Sequence, residues 1–107
     1  MVDWSPGRGS EQTGERPAVI VQNDGFNANE RYPLTIVIAL SSKGRELPNI
    51  VPVPKSPENG LWEAVSYVKC EQIQTISKTR LDRRLGRLTD EEIRKVAIAL
   101  KRVLSLR

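Results

Sequence analysis

The chain has 107 residues, of which 38% are hydrophobic, so it can bury one modest core. It has 17 basic and 13 acidic side chains, no histidine and a single cysteine, Cys70, which excludes histidine-based acid–base catalysis, an internal disulfide and most transition-metal sites. No apolar run reaches the roughly 18 residues of a membrane span, and the N-terminus lacks a signal-peptide pattern. We therefore expect a cytoplasmic protein with no metal, no cofactor and no membrane contact.

The first part of the chain predicts two strands separated by turns. Residues 5–17 contain three glycines and two prolines and predict a loop. The β-branched run 18–22 predicts a strand, which a turn at 23–25 ends. The run 34–40 is apolar nearly throughout and predicts a strand buried on both faces, followed by a polar loop at 41–45.

The middle of the chain predicts further short strands. Residues 49–53 form one, and Pro52 suits an edge better than a sheet centre. An apolar segment at 63–70 and an alternating segment at 72–76 predict two more. We expect Trp62 and Phe26 to be buried in the core or in an interface, and stacking on unpaired bases is the alternative for the few aromatic side chains.

The last predicted element is a helix. Thr89 can cap it, and Glu92 three residues later completes a capping box. Apolar side chains at helical spacing predict one buried stripe, formed by Ile93, Val96, Ala97, Leu100, Val103 and Leu104. The whole pattern predicts a mainly β protein with a C-terminal α-helix. A small barrel with the helix packed on it fits this order of elements.

The positive charge is concentrated before this helix. Residues 1–68 have a net charge of −2, whereas residues 69–107 have a net charge of +6. Five basic side chains lie close together, at Lys78, Arg80, Arg83, Arg84 and Arg87. Such a stretch attracts a polyanion, because binding phosphates releases counterions. A solvated surface is the alternative, and charge alone leaves both open. Leucines interleave with the charges and should turn inward: Leu81, Leu85 and Leu88.

Several short motifs follow one another at consistent spacing. They are Gly9-Ser10-Glu11-Gln12 with Arg16-Pro17, Val21-Gln22-Asn23-Asp24, Val37-Ile38-Ala39-Leu40-Ser41-Ser42, Cys70-Glu71-Gln72-Ile73-Gln74-Thr75 and Arg84-Leu85-Gly86-Arg87-Leu88. In this order they resemble the MazF/PemK family of toxin endoribonucleases from bacterial toxin–antitoxin pairs. The similarity runs from Val2 to the C-terminus.

The resemblance implies a fold, an activity and two partners. The implied fold is a single domain over residues 1–107, the small SH3-like β-barrel of the MazF, PemK and CcdB toxins. The implied activity is metal-independent, sequence-selective cleavage of single-stranded RNA by a homodimer, and the implied protein partner is a cognate antitoxin. Family members usually begin several residues earlier, with an apolar first strand before the segment that matches Val2-Asp3-Trp4. Either the start has been placed internally, or the chain lacks part of that strand.

Two readings of function therefore remain open. The leading one is the endoribonuclease toxin. The other is a non-catalytic protein on the same barrel, either a decayed member that binds RNA or antitoxin, or a gyrase poison of the CcdB kind. The retained set Arg16, Ser41 and Gln72 favours the enzyme, and the shortened first strand favours decay.

The chemistry of RNA cleavage agrees with the residues that the resemblance implicates. The 2′-hydroxyl is RNA's own nucleophile, so the protein must supply a proton acceptor, a proton donor and charge stabilisation on the phosphoryl oxygens. By resemblance Arg16 is catalytic, and its planar fork of donors suits a phosphate. The alternative is an arginine that holds its loop through Glu11 or Glu15. Ser41 stands where the family usually has a catalytic threonine, although it could instead bond to backbone at the strand end.

The remaining candidate residues follow from the same resemblance. Gln72 matches a glutamine near the substrate, and its amide can donate to or accept from a base edge or a 2′-hydroxyl. Glu71 and Lys69 stand where some members have an aspartate and an arginine with proposed acid–base or phosphate roles. Further substrate-binding candidates are Glu11, Gln12, Ser42, Arg83 and Arg84, of which Glu11 and Gln12 could instead shape their loop and dimer contacts. The loops at 24–33 and 43–48 would contact bases.

Overall fold

The computed structural model describes residues 1–3, 15–22 and 24–106. Its elements are β1 (Val2–Asp3), β2 (Glu15–Arg16), β3 (Ala18–Ile20), α1 (Asp24–Ala28), β4 (Leu34–Ser41), β5 (Ile50–Pro54), β6 (Val65–Ser77), a 3-10 turn (Lys78–Arg80) and α2 (Asp90–Val103). The prediction of a mainly β protein with a C-terminal helix is confirmed. The candidates Glu11 and Gln12 lie outside the described residues.

The strands form a half-barrel. Four of them make an antiparallel sheet in the order β3-β4-β6-β5, and β1 pairs with β2 beside it. The strand with Pro52 lies at an edge of the four-stranded sheet, as its proline predicted. Val2 of β1 also bridges to Leu81, so the segment after β6 runs alongside the N-terminal strand.

The two segments predicted at 63–70 and 72–76 form one strand, β6, with a bulge inside it. Ile38 of β4 pairs with Ile73, but Leu40 pairs with Val68. On the β4 side, the four residues 69–72 of β6 therefore lie opposite one residue, Ala39. A bulge of this kind bends the strand and leaves its extra residues without ladder partners on the β4 side.

The main core lies between this sheet and α2. Its buried residues are Ile38, Leu40, Val51, Val53, Leu61, Val68, Cys70, Val96 and Ala99. The predicted helical stripe is only partly right. Val96, Leu100 and Val103 face the core and Ala99 joins them, whereas Ile93 and Leu104 are each 48% exposed and Ala97 is exposed. The helix contacts a small sheet along a narrow seam, which covers fewer positions than a broad amphipathic face.

Local interactions decide both helix starts. At α2 the predicted capping box is present: the Glu92 amide donates to Thr89 Oγ1 at 3.1 Å, and the Thr89 amide donates to Glu92 Oε1 at 2.9 Å. Asp24 and Gly25 of the predicted turn are instead the first residues of α1. Asn27 explains the difference, because its side chain bonds to Gln22 and to Thr35 and so ties the short helix to β4.

Two further sequence expectations concern the burial of aromatic side chains and the presence of membrane-spanning segments. Phe26 and Trp62 are 54% and 53% exposed, so neither is buried in the core of this chain, and their burial in an interface stays a prediction. Within the described part of the chain, no helix is long and apolar enough to cross a membrane.

Candidate active site

The register between β3 and β4 relates Arg16 to Ser41, at the C-terminal end of β4. Ala18 pairs with Ala39, and the Leu40 amide donates to the Pro17 carbonyl at 3.0 Å. Continuing this antiparallel register by one residue places Arg16 opposite Ser41, the last residue of β4. Ser41 pairs on its other side with Tyr67 of β6.

The β6 bulge brings the second group of candidates to the same end of the sheet. Residues 69–72 face Ala39, which lies two positions before Ser41. Glu71 and Gln72 are exposed and Lys69 is half-buried. The register therefore sets Lys69, Glu71 and Gln72 near the end of β4 that carries Ser41, and its continuation past β3 adds Arg16.

Arg16 presents its side chain to solvent from β2, the short strand that pairs with β1. Among the described residues, no carboxylate lies within 4.0 Å of its guanidinium, and Glu15 Oε2 lies 4.0 Å from Arg83 Nη1 instead. Glu15 therefore forms no ion pair with Arg16, whereas Glu11, the other carboxylate of that alternative, lies outside the described residues and leaves its half of the alternative open. An exposed guanidinium with its donors turned to solvent can take a phosphate.

Ser41 is held by a local turn. Its hydroxyl donates to the Lys43 carbonyl at 2.9 Å and accepts from the Lys43 amide at 3.1 Å. This is the backbone-bonded arrangement that the sequence left open as the alternative. Contact with a phosphate requires the hydroxyl to turn away from Lys43. The following residue, Ser42, is exposed.

The loop after Ser41 is packed against β6. A Cβ added at Gly44 would lie 2.9 Å from Cγ of Tyr67, so the tyrosine ring lies directly on the glycine backbone. Glycine permits this close approach because it has no side chain. The packing fixes where the loop leaves the sheet.

Glu71 has a partner that the sequence did not reveal. Asn49 Nδ2 donates to Glu71 Oε1 at 2.9 Å, and the Asn49 carbonyl accepts from the Cys70 amide at 2.9 Å. Cys70 itself is buried, as expected of a small apolar residue. Burial, and secondarily the charge of Glu71, raises the pKa of the Cys70 thiol to about 11, so the thiol stays protonated and is not a nucleophile at neutral pH.

Known proteins resemble this chain in sequence. Residues 1–104 match the family described as the PemK-like, MazF-like toxin of type II toxin–antitoxin systems. The chain belongs to this family. It is 36% identical over 108 residues to the endoribonuclease MazF of Staphylococcus saprophyticus, an alignment that covers 99% of this chain and 87% of that protein.

Solved structures agree with the family and with the fold. The Mycobacterium tuberculosis toxin MazF-mt6 superimposes with a TM-score of 0.74 at 27% identity, covering 86% of this chain and 88% of that one. A mycobacterial endoribonuclease in complex with its cognate antitoxin gives a TM-score of 0.72 at 26% identity, covering 95% and 87%. The resemblance stated from sequence motifs is confirmed.

The basic stretch of this toxin is divided between two kinds of environment. Arg83 Nη1 lies 3.5 Å from Asp82 Oδ2, and these two side chains and Glu15 are all largely exposed. Such surface ion pairs contribute little to stability. Arg84 is exposed as well, while Leu81, Leu85 and Leu88 pack against the core as predicted.

Lys78 behaves differently from the arginines that follow it. Its Nζ donates to the carbonyl oxygens of Phe26, Asn27 and Asn29, at 2.7, 3.1 and 3.1 Å. It is therefore a structural cation at the end of α1, whereas Arg83, Arg84 and Arg87 face solvent.

Proposed function

We propose that this chain is the toxin of a type II toxin–antitoxin pair and that it cleaves single-stranded RNA in the cytoplasm, sequence-selectively and without a metal ion. The sheet register supports the proposal, because it sets Glu71 and Gln72 near the end of β4 that carries Ser41, and its continuation past β3 leads to Arg16. Family membership and the 36% identity to a curated endoribonuclease support it.

Each residue of this group has a role that its chemistry supports. The RNA 2′-hydroxyl attacks the adjacent phosphorus and the 5′-oxygen leaves, which produces a 2′,3′-cyclic phosphate and a 5′-hydroxyl. Arg16 stabilises the charge that develops on the phosphoryl oxygens. Glu71 is the carboxylate that exchanges a proton with the RNA, and the Gln72 amide bonds to a base edge or a 2′-hydroxyl.

The neighbouring candidates serve binding. Lys69 adds a positive charge beside Glu71, and Ser41 and Ser42 offer hydroxyls to the phosphate. Arg83 and Arg84 supply affinity for the RNA backbone, since cations on flexible stems contact phosphates regardless of sequence. Glu11 and Gln12, which lie outside the described residues, are proposed to contact substrate from the loop before Arg16.

Cleavage in a chelator tests the proposal directly. The purified protein is incubated with a long single-stranded RNA in EDTA, and the product ends are mapped. We expect cuts that leave a 2′,3′-cyclic phosphate and a 5′-hydroxyl. A strict requirement for Mg²⁺, or products with a 5′-phosphate, would refute this chemistry. RNA binding without any cleavage would identify the non-catalytic alternative.

Replacement of Arg16 is the sharpest mutational test. Arg16→Ala should lower the cleavage rate by roughly 10²–10³, the cost of removing a donor that acts on transition-state charge. Arg16→Lys should recover little, because one ammonium cannot reproduce the fork of donors. Arg94→Ala, which removes an exposed arginine from α2, is the matched control. Turnover of Arg16→Ala close to that of the control would make Arg16 a structural residue only.

We also propose a homodimer and an antitoxin partner. Exposed apolar side chains beside α2 support self-association, since Leu47 and Ile98 line one groove between the helix and the approach to β5. The mycobacterial relative solved with its cognate antitoxin supports the second partner. Light scattering should give twice the 12.0 kDa chain mass. A monomer at micromolar concentration would contradict the dimer.

A further inference from the structure

Asn49 makes two contacts to the β6 bulge from the neighbouring strand. Ile50, the first residue of β5, pairs with Lys69, and this register sets Asn49 beside residue 70. The main chain of Asn49 accepts the Cys70 amide, and its side chain donates to Glu71 Oε1, both at 2.9 Å. Main chain and side chain thus act on consecutive residues of the bulge.

Both contacts matter because of where they fall. The bulged residues lack ladder partners on the β4 side, so the bond from the Cys70 amide to the Asn49 carbonyl anchors them on the β5 side. Glu71 is exposed, and an exposed glutamate samples several rotamers unless something holds it. The amide of Asn49, itself half-buried, donates to that carboxylate in an exposed hydrogen bond, and a hydrogen bond to a charged acceptor is among the stronger ones.

We propose that Asn49 is a positioning residue for RNA cleavage. It holds Oε1 of Glu71, so that Oε2 is the oxygen presented for proton exchange with the RNA. The inference rests on the proposed endoribonuclease function and adds a residue outside the sequence motifs that pointed to it. Asn49 does not touch the RNA; it acts through Glu71.

Two substitutions separate orientation from mere packing. Asn49→Asp fills the same volume, but its carboxylate cannot donate to Glu71 and repels it. Asn49→Ala removes the side chain and keeps the main-chain bond from Cys70, so the bulge retains that anchor. If Asn49 only fills space, Asn49→Asp should behave as wild type. If it positions Glu71, Asn49→Asp should be impaired at least as much as Asn49→Ala.

The experiment measures kcat and KM on an RNA containing the cut site mapped for the wild type, for each variant alone and combined with Glu71→Ala. We expect both Asn49 variants to lower kcat by about tenfold, which corresponds to a loss of about 1.4 kcal/mol in transition-state stabilisation. The KM of each variant should stay within about twofold of the wild-type value. In the Glu71→Ala background, adding Asn49→Ala should change kcat by less than about twofold, because the residue it positions is gone. Thermal unfolding of every variant checks that the fold is retained.

Three results would overturn the inference. They are wild-type kcat in Asn49→Asp, a loss from Asn49→Ala that persists undiminished in the Glu71→Ala background, and a Glu71→Ala variant as active as wild type. A wild-type protein that cleaves no RNA would instead overturn the proposed function itself. The two failures are therefore distinguishable in the same set of reactions.

Discussion

Replacing Lys78 with alanine should destabilise the fold and leave RNA affinity unchanged. The Lys78 ammonium donates to three carbonyl oxygens around the end of α1, those of Phe26, Asn27 and Asn29, and lies 5.7 Å from the centroid of the Tyr32 ring. Carbonyls at a helix end lack partners within the helix. A cation there satisfies them and interacts favourably with the helix dipole.

The size of the effect follows from these contacts. Hydrogen bonds to a charged group contribute about 1.5–3 kcal/mol when buried. Lys78 is half-buried, and two of its three bonds are exposed, so water replaces part of what is lost. We expect a loss of about 1.5 kcal/mol in the free energy of unfolding. For a domain of this size that lowers Tm by about 8 °C.

Thermal unfolding followed by circular dichroism, at one fixed protein concentration, measures the change. Lys78→Met keeps the aliphatic stem and should lose nearly as much stability as Lys78→Ala. Lys55→Ala, at an exposed lysine, is the matched control and should stay within about 0.5 kcal/mol of wild type.

RNA affinity as a function of salt completes the test. The slope of log affinity against log salt should be unchanged in Lys78→Met, because this ammonium is directed at carbonyls. A fall of about 0.7 in that slope, the value for one lost phosphate contact on a single strand, would refute the reasoning. So would a Tm equal to that of the control.

Two other predictions follow from the same part of the chain. Joint replacement of Arg83 and Arg84 by alanine should weaken binding equally for cleavable and scrambled RNAs, and should flatten the slope of log affinity against log salt by roughly 0.7 per lost phosphate contact. The Tm should be nearly unchanged, because the ion pairs of Arg83 are exposed. A changed cut site would contradict this prediction. Gly86→Ala should lower the free energy of unfolding by about 2–3 kcal/mol in a denaturant titration, since its Cβ would collide with the Glu58 carbonyl that accepts from the Arg87 amide. A wild-type midpoint would show that this loop can move aside.

Those features that depend on neighbours in the chain were determined by the sequence alone. The start of α2 follows from Thr89 and Glu92, because a capping box needs only residues three apart. The buried strand β4 follows from its apolar run, and the edge position of β5 follows from Pro52, which cannot donate to a second neighbour. The family is also indicated by the sequence alone, through short motifs that follow one another at consistent spacing.

The arrangement of the candidate site was decided by the tertiary structure. Which residue of β6 faces Ala39 depends on a bulge between strands far apart in sequence, and no local pattern specifies that register. The bond from Asn49 to Glu71 exists only because β5 and β6 pair in one particular alignment. The sequence groups Lys78 with the arginines that follow it, because all of them are basic and close together. Only the tertiary structure shows that its ammonium is directed at carbonyl oxygens at the end of α1. Interactions between neighbours in the chain determine the secondary-structure elements, whereas the pairing of strands distant in sequence determines which side chains come into contact.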